Sequence, residues 1–162
     1  MLLAVLADTH LPRGRRELPA ACIARLREAD LILHAGDFFE RSVLRSLERC
    51  GAVAAVHGNV DTPELRTWLP ETRVVEADGV RIAMVHDAGP ARGRLARMRR
   101  RFPAAAAVVF GHSHIPLHEA DDDGFQIFNP GSPTVRRRAP VHTMGIGRVT
   151  AGAISFELVT LD

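Results

Sequence analysis

The stretch Met1-Leu2-Leu3-Ala4-Val5-Leu6-Ala7-Asp8-Thr9-His10 decides how the rest of the chain is read. From Leu2 to Ala7 every residue is apolar, so neither side of an extended chain could face water. The run therefore reads as a strand buried on both faces. It stops abruptly at Asp8-Thr9-His10, where two metal-capable side chains follow directly on the apolar run. The run has no basic leader and falls well short of the roughly 18 apolar residues of a membrane span. Neither export nor membrane insertion is expected, which favours the cytoplasm.

The same pattern repeats downstream. A helix over 19–28 leads to a strand over 31–34, which ends in Gly36-Asp37. A helix over 41–50, stopped by Gly51, leads to a strand over 53–57 and then Gly58-Asn59-Val60-Asp61. A short helix over 63–68 follows. Apolar strands alternating with helices imply a parallel sheet covered by helices. From residue 74 the character changes. Val74–Ala77 and Val80–Val85 flank the turn dipeptide Asp78-Gly79, a hairpin signal. An Arg-rich helix over 90–101 precedes a strand over 106–110, and short strands over 117–120, 124–128, 141–149 and 154–160 follow. This tail reads as mostly antiparallel, so the chain is expected to be one domain over 1–162, of mixed α/β (α+β) class, with two packed sheets and helices outside.

Polar residues gather where these strands end: Asp8 and His10, Asp37, Asn59 and Asp61, His86, and His112 and His114. Loops at the carboxyl ends of parallel strands converge on one crevice. In extended backbone, residues two apart point the same way, so Asp8 with His10, and His112 with His114, can each face one centre. Gly36, Gly58 and Gly111 precede them and allow close backbone approach. Carboxylate, imidazole and amide oxygen together suit divalent metals such as Mn, Fe, Ni or Zn.

Composition narrows the partners. Of 162 residues, 46% are hydrophobic and 25% charged, ordinary values for a globular protein. The net charge of +2 is too small to suggest nucleic acid. Cys22 and Cys50, the two cysteines, read as free thiols rather than a disulfide framework. The oligomeric state stays open, a homo-oligomer included.

The ordered set Asp8-x-His10, Gly36-Asp37, Gly58-Asn59-x-Asp61, His86 and Gly111-His112-Ser113-His114 resembles the calcineurin-like metallophosphoesterase superfamily. Asn129-Pro130-Gly131-Ser132 resembles the segment that follows in its small prokaryotic phosphodiesterase branch. The resemblance implies a double β-sandwich flanked by helices, in four αββα layers. It implies a binuclear centre of two divalent ions, Mn foremost. Asp8, His10, Asp37 and His114 would hold the first, and Asp37, Asn59, His86 and His112 the second, with Asp37 as bridge. A metal-bridging hydroxide would attack phosphorus, so Asp37, Asn59 and His112 would carry the catalytic positioning, and a small phosphodiester would be the substrate. The alternatives are a phosphomonoesterase and a non-catalytic interaction scaffold of the same fold.

Two features depart from the superfamily pattern. Val60 stands where many members have a histidine that donates a proton, and Asp87-Ala88 follows His86 where a glycine is usual. Other residues carry weaker expectations. Asp61 can orient Asn59 or a ligand histidine, or cap the next helix. Phe38 and Phe39 can stack on a substrate or enter the core. One of Arg136, Arg137 and Arg138 can reach a phosphate, whereas the arginines of 97–101 read as a solvated helix face. His34 and His57 read as hydrogen-bonded strand-end residues, and Asp121-Asp122-Asp123-Gly124 as a hairpin turn.

Overall fold

The computed structural model describes residues 1–162. The elements, in chain order, are β1 (Leu2–Leu6), α1 (Ala20–Glu28), β2 (Leu31–His34), α2 (Arg41–Glu48), β3 (Val53–Ala55), α3 (Pro63–Trp68) and β4 (Thr72–Ala77). They continue with β5 (Val80–Val85), α4 (Arg94–Arg101), β6 (Ala107–Val109), β7 (Leu117–Ala120), β8 (Gln126–Asn129), β9 (Thr143–Thr150) and β10 (Ala153–Thr160).

These strands build two five-stranded sheets, ordered β10-β9-β1-β2-β3 and β4-β5-β6-β8-β7. In the first, β1, β2 and β3 run parallel, and β9 and β10 are antiparallel. The second sheet is mixed, with β5, β6 and β8 parallel and antiparallel strands on both edges. The mostly antiparallel reading of the tail is corrected at β8, which runs parallel to β6. The last two strands return to pair beside β1, and the second sheet contains parallel crossovers. A second correction concerns α4, which begins at Arg94 rather than Pro90 because Gly93, at φ 69°, turns the chain immediately before it.

Strand alternation distributes the core into layers. On β1, Leu3 and Val5 point between the sheets and meet Ile82, Met84, Val109 and Phe128. Ala4 and Leu6 point the other way, against Cys22 and Leu26 of α1, Val43 and Leu47 of α2 and Leu65 of α3. That is why the run from Leu2 carries no polar position. On the far side, Ala83, Val85, Val108 and Ile127 pack on Met98 of α4. The result is the four-layer helix–sheet–sheet–helix sandwich. Cys22 and Cys50 are free, and burial pushes the Cys22 thiol up to about 12, with Cys50 acting the same way and Arg25 opposing. No helix is long and apolar enough to cross a membrane.

Glycines on β9 set the spacing between the sheets. A Cβ on Gly145 would overlap the ring of Phe128 and lie 3.1 Å from the Val5 Cβ. Phe128 cannot retreat, because it is fully buried and stacked on Phe156 with centroids 4.5 Å apart. Overpacking of this kind costs about 1–3 kcal/mol. Gly145→Ala is therefore expected to lower unfolding free energy by roughly 2 kcal/mol in urea titration, and an unchanged midpoint would show that the sheets can part at this point.

Candidate metal centre

The expected polar residues meet at one end of the sandwich, brought there by the loops after β1, β2, β3, β5 and β6. They form two adjoining groups. In the first, the His114 Nε2 lies 3.1 Å from the His10 Nε2 and 3.5 Å from the Asp8 Oδ1. In the second, the Asn59 Oδ1 lies 3.1 Å from both the His86 Nε2 and the His112 Nδ1. Asp37 stands between the two groups, its Oδ2 being 3.5 Å from the His10 Nε2 and 3.2 Å from the His86 Nε2. His112 and His114 therefore separate into different groups, against the expectation from strand alternation that they face one centre.

The backbone explains the separation. Asp8, His10, Asp37, His112 and His114 all have positive φ, between 46° and 69°. None continues the preceding strand in extended form. Left-handed backbone costs a non-glycine residue on the order of 1 kcal/mol, less for Asp and Asn, and persists where the surroundings over-determine it. Of the flanking glycines, only Gly36 has a positive φ, at 88°, and there a Cβ would come within 2.8 Å of the His86 Nδ1. At Gly58 the requirement is close approach, because a Cβ would run into the Asp37 carboxylate.

Hydrogen bonds from behind fix each ring. His86 Nδ1 lies 2.7 Å from the Ala35 carbonyl, and His114 Nδ1 bonds the Val135 carbonyl. A carbonyl accepts only, so both rings carry their proton on Nδ1 and turn an Nε2 lone pair inward. Ser132 Oγ donates to the Asp8 carbonyl, Thr134 Oγ1 to that of Thr9, and Asn129 Nδ2 to that of Gly111. The Asn129-Pro130-Gly131-Ser132 segment thus braces the ligand loops through their backbone.

Asp61 acts differently from either expectation. Thr62, not Asp61, takes the N-cap position of α3. The Asp61 carboxylate instead accepts from the backbone N–H groups of Asp37, Gly58 and Phe39, at 3.1, 2.7 and 2.8 Å. It ties the loop of Asp37 to the loop of Asn59. Phe38 is fully buried and stacks on His34 at 3.6 Å between centroids, whereas Phe39 is 42% exposed. His34 Nε2 meets the Thr9 hydroxyl at 3.2 Å. His57 is half-buried, its nearest polar partner being the Gly58 carbonyl at 3.4 Å. Arg137 donates to the His112 carbonyl, and Arg136 is occupied by the Ala139 and Pro140 carbonyls. The helix-face reading of the later arginines fails at Arg97, which donates to the Ala88, Pro90 and Arg92 carbonyls and so holds the loop after His86. Arg94, also on α4, bonds the Gly89 carbonyl. Position gave no hint of this, although four arginines within 97–101 invited a search for carbonyl partners.

The charges at the site are out of balance. Asp8 is fully buried and its Oδ2 has no hydrogen-bond partner. Burial alone would raise the Asp37 carboxyl, but hydrogen bonding and charge from His86, the Val60 N–H and His10 outweigh it and hold the group at about 2. Desolvation opposes the charged form of His86, yet Asp37 and Asp8 raise its pKa overall. His114 is lowered, chiefly by burial. The orphaned oxygen of Asp8, the ionised Asp37 carboxylate and several inward lone pairs form a donor set that fits divalent cations. Asp8, His10 and His114 come within 4.8 Å of one another through their ligand atoms, as do Asp8, Asp37 and His86.

The model of the calcineurin-like phosphoesterase superfamily domain matches residues 1–152. The chain belongs to that superfamily. A probable metallophosphoesterase of Methanothermobacter thermautotrophicus is 35% identical over 98% of this chain and 92% of its own length. Among solved structures, the fold is similar to Vps29 of Entamoeba histolytica complexed with zinc, with TM-score 0.77, 22% identity and full coverage of both chains. It is also similar to an archaeal phosphodiesterase, with TM-score 0.74 and 20% identity over 98% of this chain and 100% of that one.

Two expectations about stability follow. Removing the Asp61 carboxylate strands three backbone N–H groups, and Asp61→Ala should cost about 3 kcal/mol in thermal or urea unfolding. A loss below about 1 kcal/mol would mean that the two loops hold together without it. The second concerns His34, which burial, reinforced by His86 and His10 and opposed by Asp37, lowers from 6.5 to about 3. The unfolded chain binds a proton near 6.5 and the folded chain does not until about 3, so stability falls as pH drops through that window. By pH 5 this group should account for about 2 kcal/mol. In urea titrations from pH 7 to pH 5, His34→Gln should therefore lose less stability than the wild type, and parallel losses would place the pH dependence elsewhere.

Proposed function

We propose that this chain is a binuclear metal-dependent phosphodiesterase. The observation that carries the reading is Asp37, an ionised carboxylate set between two groups of inward-facing ligands beside the orphaned Asp8 Oδ2. Asp8, His10, His114 and Asp37 would hold one cation, and Asp37, Asn59, His86 and His112 the other. Bound divalent cations, of which manganese is the first to test, activate a water and offset the charge on phosphate oxygens.

The residues of the chain supply position. The Ala35 and Val135 carbonyls lock the imidazoles of His86 and His114, so that neither must reorient when the site fills. Asp61 keeps the Asp37 and Asn59 loops in register. His112 and Asn59 sit side by side at the mouth of the site, where they can orient a phosphate. No side chain is needed as nucleophile.

Val60 supports the diester reading over the monoester. Its N–H donates to the Asp37 Oδ1 at 3.0 Å, but its side chain has no proton to give a departing alkoxide. Substrates whose leaving groups are acidic, or are protonated by water, suit such a site. The archaeal phosphodiesterase of similar fold is consistent with this choice.

Metal analysis and turnover test the reading together. Purified protein given manganese should hold about two ions per chain and hydrolyse an aryl phosphodiester faster than the aryl monoester. Asp37→Asn should lower bound metal and reduce diester hydrolysis by a factor of about 100 or more. Preference for the monoester would move the assignment to a phosphomonoesterase. Absence of both metal binding and hydrolysis across several divalent cations would leave the interaction scaffold.

A further inference from the structure

Two clefts flank the metal-ligand set. One, of about 260 Å³, is lined by His10, Pro12, Arg13, Phe39 and Val60. The other, of about 290 Å³, lies on the side of Asn59, His86 and His112, where its walls include His57, Arg66, Glu71 and Asp87, with Val85 the only apolar contributor. His10 belongs to one ligand group and His112 to the other, so the clefts open from opposite sides of the centre.

The first cleft has the Phe39 ring on one wall with Pro12 and Val60 beside it, and Arg13 and His10 are its polar members. Phe39 is 42% exposed, an unfavourable position for a large ring beside a polar site. It is nevertheless firmly held. Its backbone lies at φ 88°, its N–H donates to the Asp61 Oδ1 at 2.8 Å, and its carbonyl accepts from the Thr62 N–H at 3.2 Å. Val60, in the position where many relatives carry a histidine, faces the same cleft and makes its wall apolar.

The second cleft offers mostly acceptors. The Asp87 Oδ1 accepts from the Gly89 N–H at 2.7 Å, which leaves its second oxygen available. The His57 ring has only the long contact to the Gly58 carbonyl. Arg66 donates through Nε to the Asp61 carbonyl and through Nη2 to that of Asn59, and Glu71 pairs with Arg101 at 3.6 Å. Hydroxyl groups, which donate and accept, match His57 and Asp87.

We propose that the site takes an asymmetric phosphodiester. One ester group is a flat aromatic ring lying on Phe39 against Val60 and Pro12. The other carries hydroxyls and enters the cleft of His57 and Asp87, with the phosphate on the ligand set between them. This inference rests on the phosphodiesterase reading for its reaction but not for its two subsites.

Phosphinates, whose P–C bonds water does not cleave, separate binding from turnover. Calorimetry on the manganese-loaded protein would compare dimethylphosphinate with its benzyl-methyl and dihydroxypropyl-methyl counterparts. Each larger ligand should bind roughly tenfold tighter than dimethylphosphinate, the scale of one stacked ring or of one or two hydrogen bonds. Phe39→Ala should abolish only the benzyl preference, and a paired His57→Ala/Asp87→Ala variant only the dihydroxypropyl preference. The proposal is overturned if either preference is absent in the wild type, survives its own variant, or is lost equally in both variants. Hydrolysis of an aryl diester is measured in parallel. Both preferences without hydrolysis keep the subsites and remove the phosphodiesterase reading, whereas hydrolysis without the preferences does the reverse. Loss of both binding and hydrolysis overturns the two together.

Discussion

Asp8 and Asp37 are two carboxylates taken out of water within one small cluster, and much of the local structure answers to them. Burying an ionised carboxylate costs several kcal/mol even after relaxation, and two in one cluster repel each other as well. The imidazoles of His10, His86 and His114 lie 3.2 to 3.9 Å from these carboxylates but do not satisfy both acids, since the Asp8 Oδ2 keeps no partner. The backbone N–H groups of Val60 and His112, which reach the Asp37 and Asp8 carboxylates respectively, help without cancelling the charge. An end of the fold built this way is most stable with positive charge inside it. Cation binding and folding are therefore expected to reinforce each other thermodynamically.

Holding that arrangement calls for rigidity, and the sandwich provides it. The ligand loops spring from strands whose two faces are both packed, so their starting points are fixed. The loops themselves are short, left-handed at five candidate ligands, and tied to one another by Asp61, Ser132, Thr134 and Asn129. A site made of strained residues on a well-packed frame needs little rearrangement when it fills, which is the condition for electrostatic preorganisation.

Much of this was legible in the sequence, for identifiable reasons. The run Leu2–Ala7 could only be a two-faced buried strand, and the polar residues that end the strands announced a shared crevice. What could not be read was anything set by distant partners. The two-residue turn at Ala151-Gly152 joins β9 to β10, but nothing local tells β9 that its other neighbour is β1 rather than β8, because an apolar strand accepts either edge. Gly145 and Gly147 were the available clue, since paired glycines two apart on a strand signal close approach by something large. The left-handed backbone at Asp8, His10, His112 and His114 was hidden because these residue types tolerate it only when tertiary contacts impose it. Asp61 read either as a cap, because the Thr62-Pro63 that follows mimics one, or as support for Asn59 or a histidine, while two of its three partners lie in the loop of Asp37 and Phe39, more than twenty positions earlier. The arginines of α4 read as solvated because their carbonyl partners sit in a loop that the expected helix start at Pro90 had absorbed.

The return of β9 to the side of β1 has a bearing on how the chain is born. Leu3 pairs with Gly147, so this pairing joins residues very far apart in sequence. As these elements leave the ribosome, β1, β2 and β3 can align with their helices, but β1 keeps one open edge until β9 emerges. Asp8 shares that wait, because Ser132 and His114 come late as well. The acidic cluster thus comes together only after Ser132 has been made, and a nascent chain stalled earlier would present a sticky strand edge to chaperones in place of the assembled cluster.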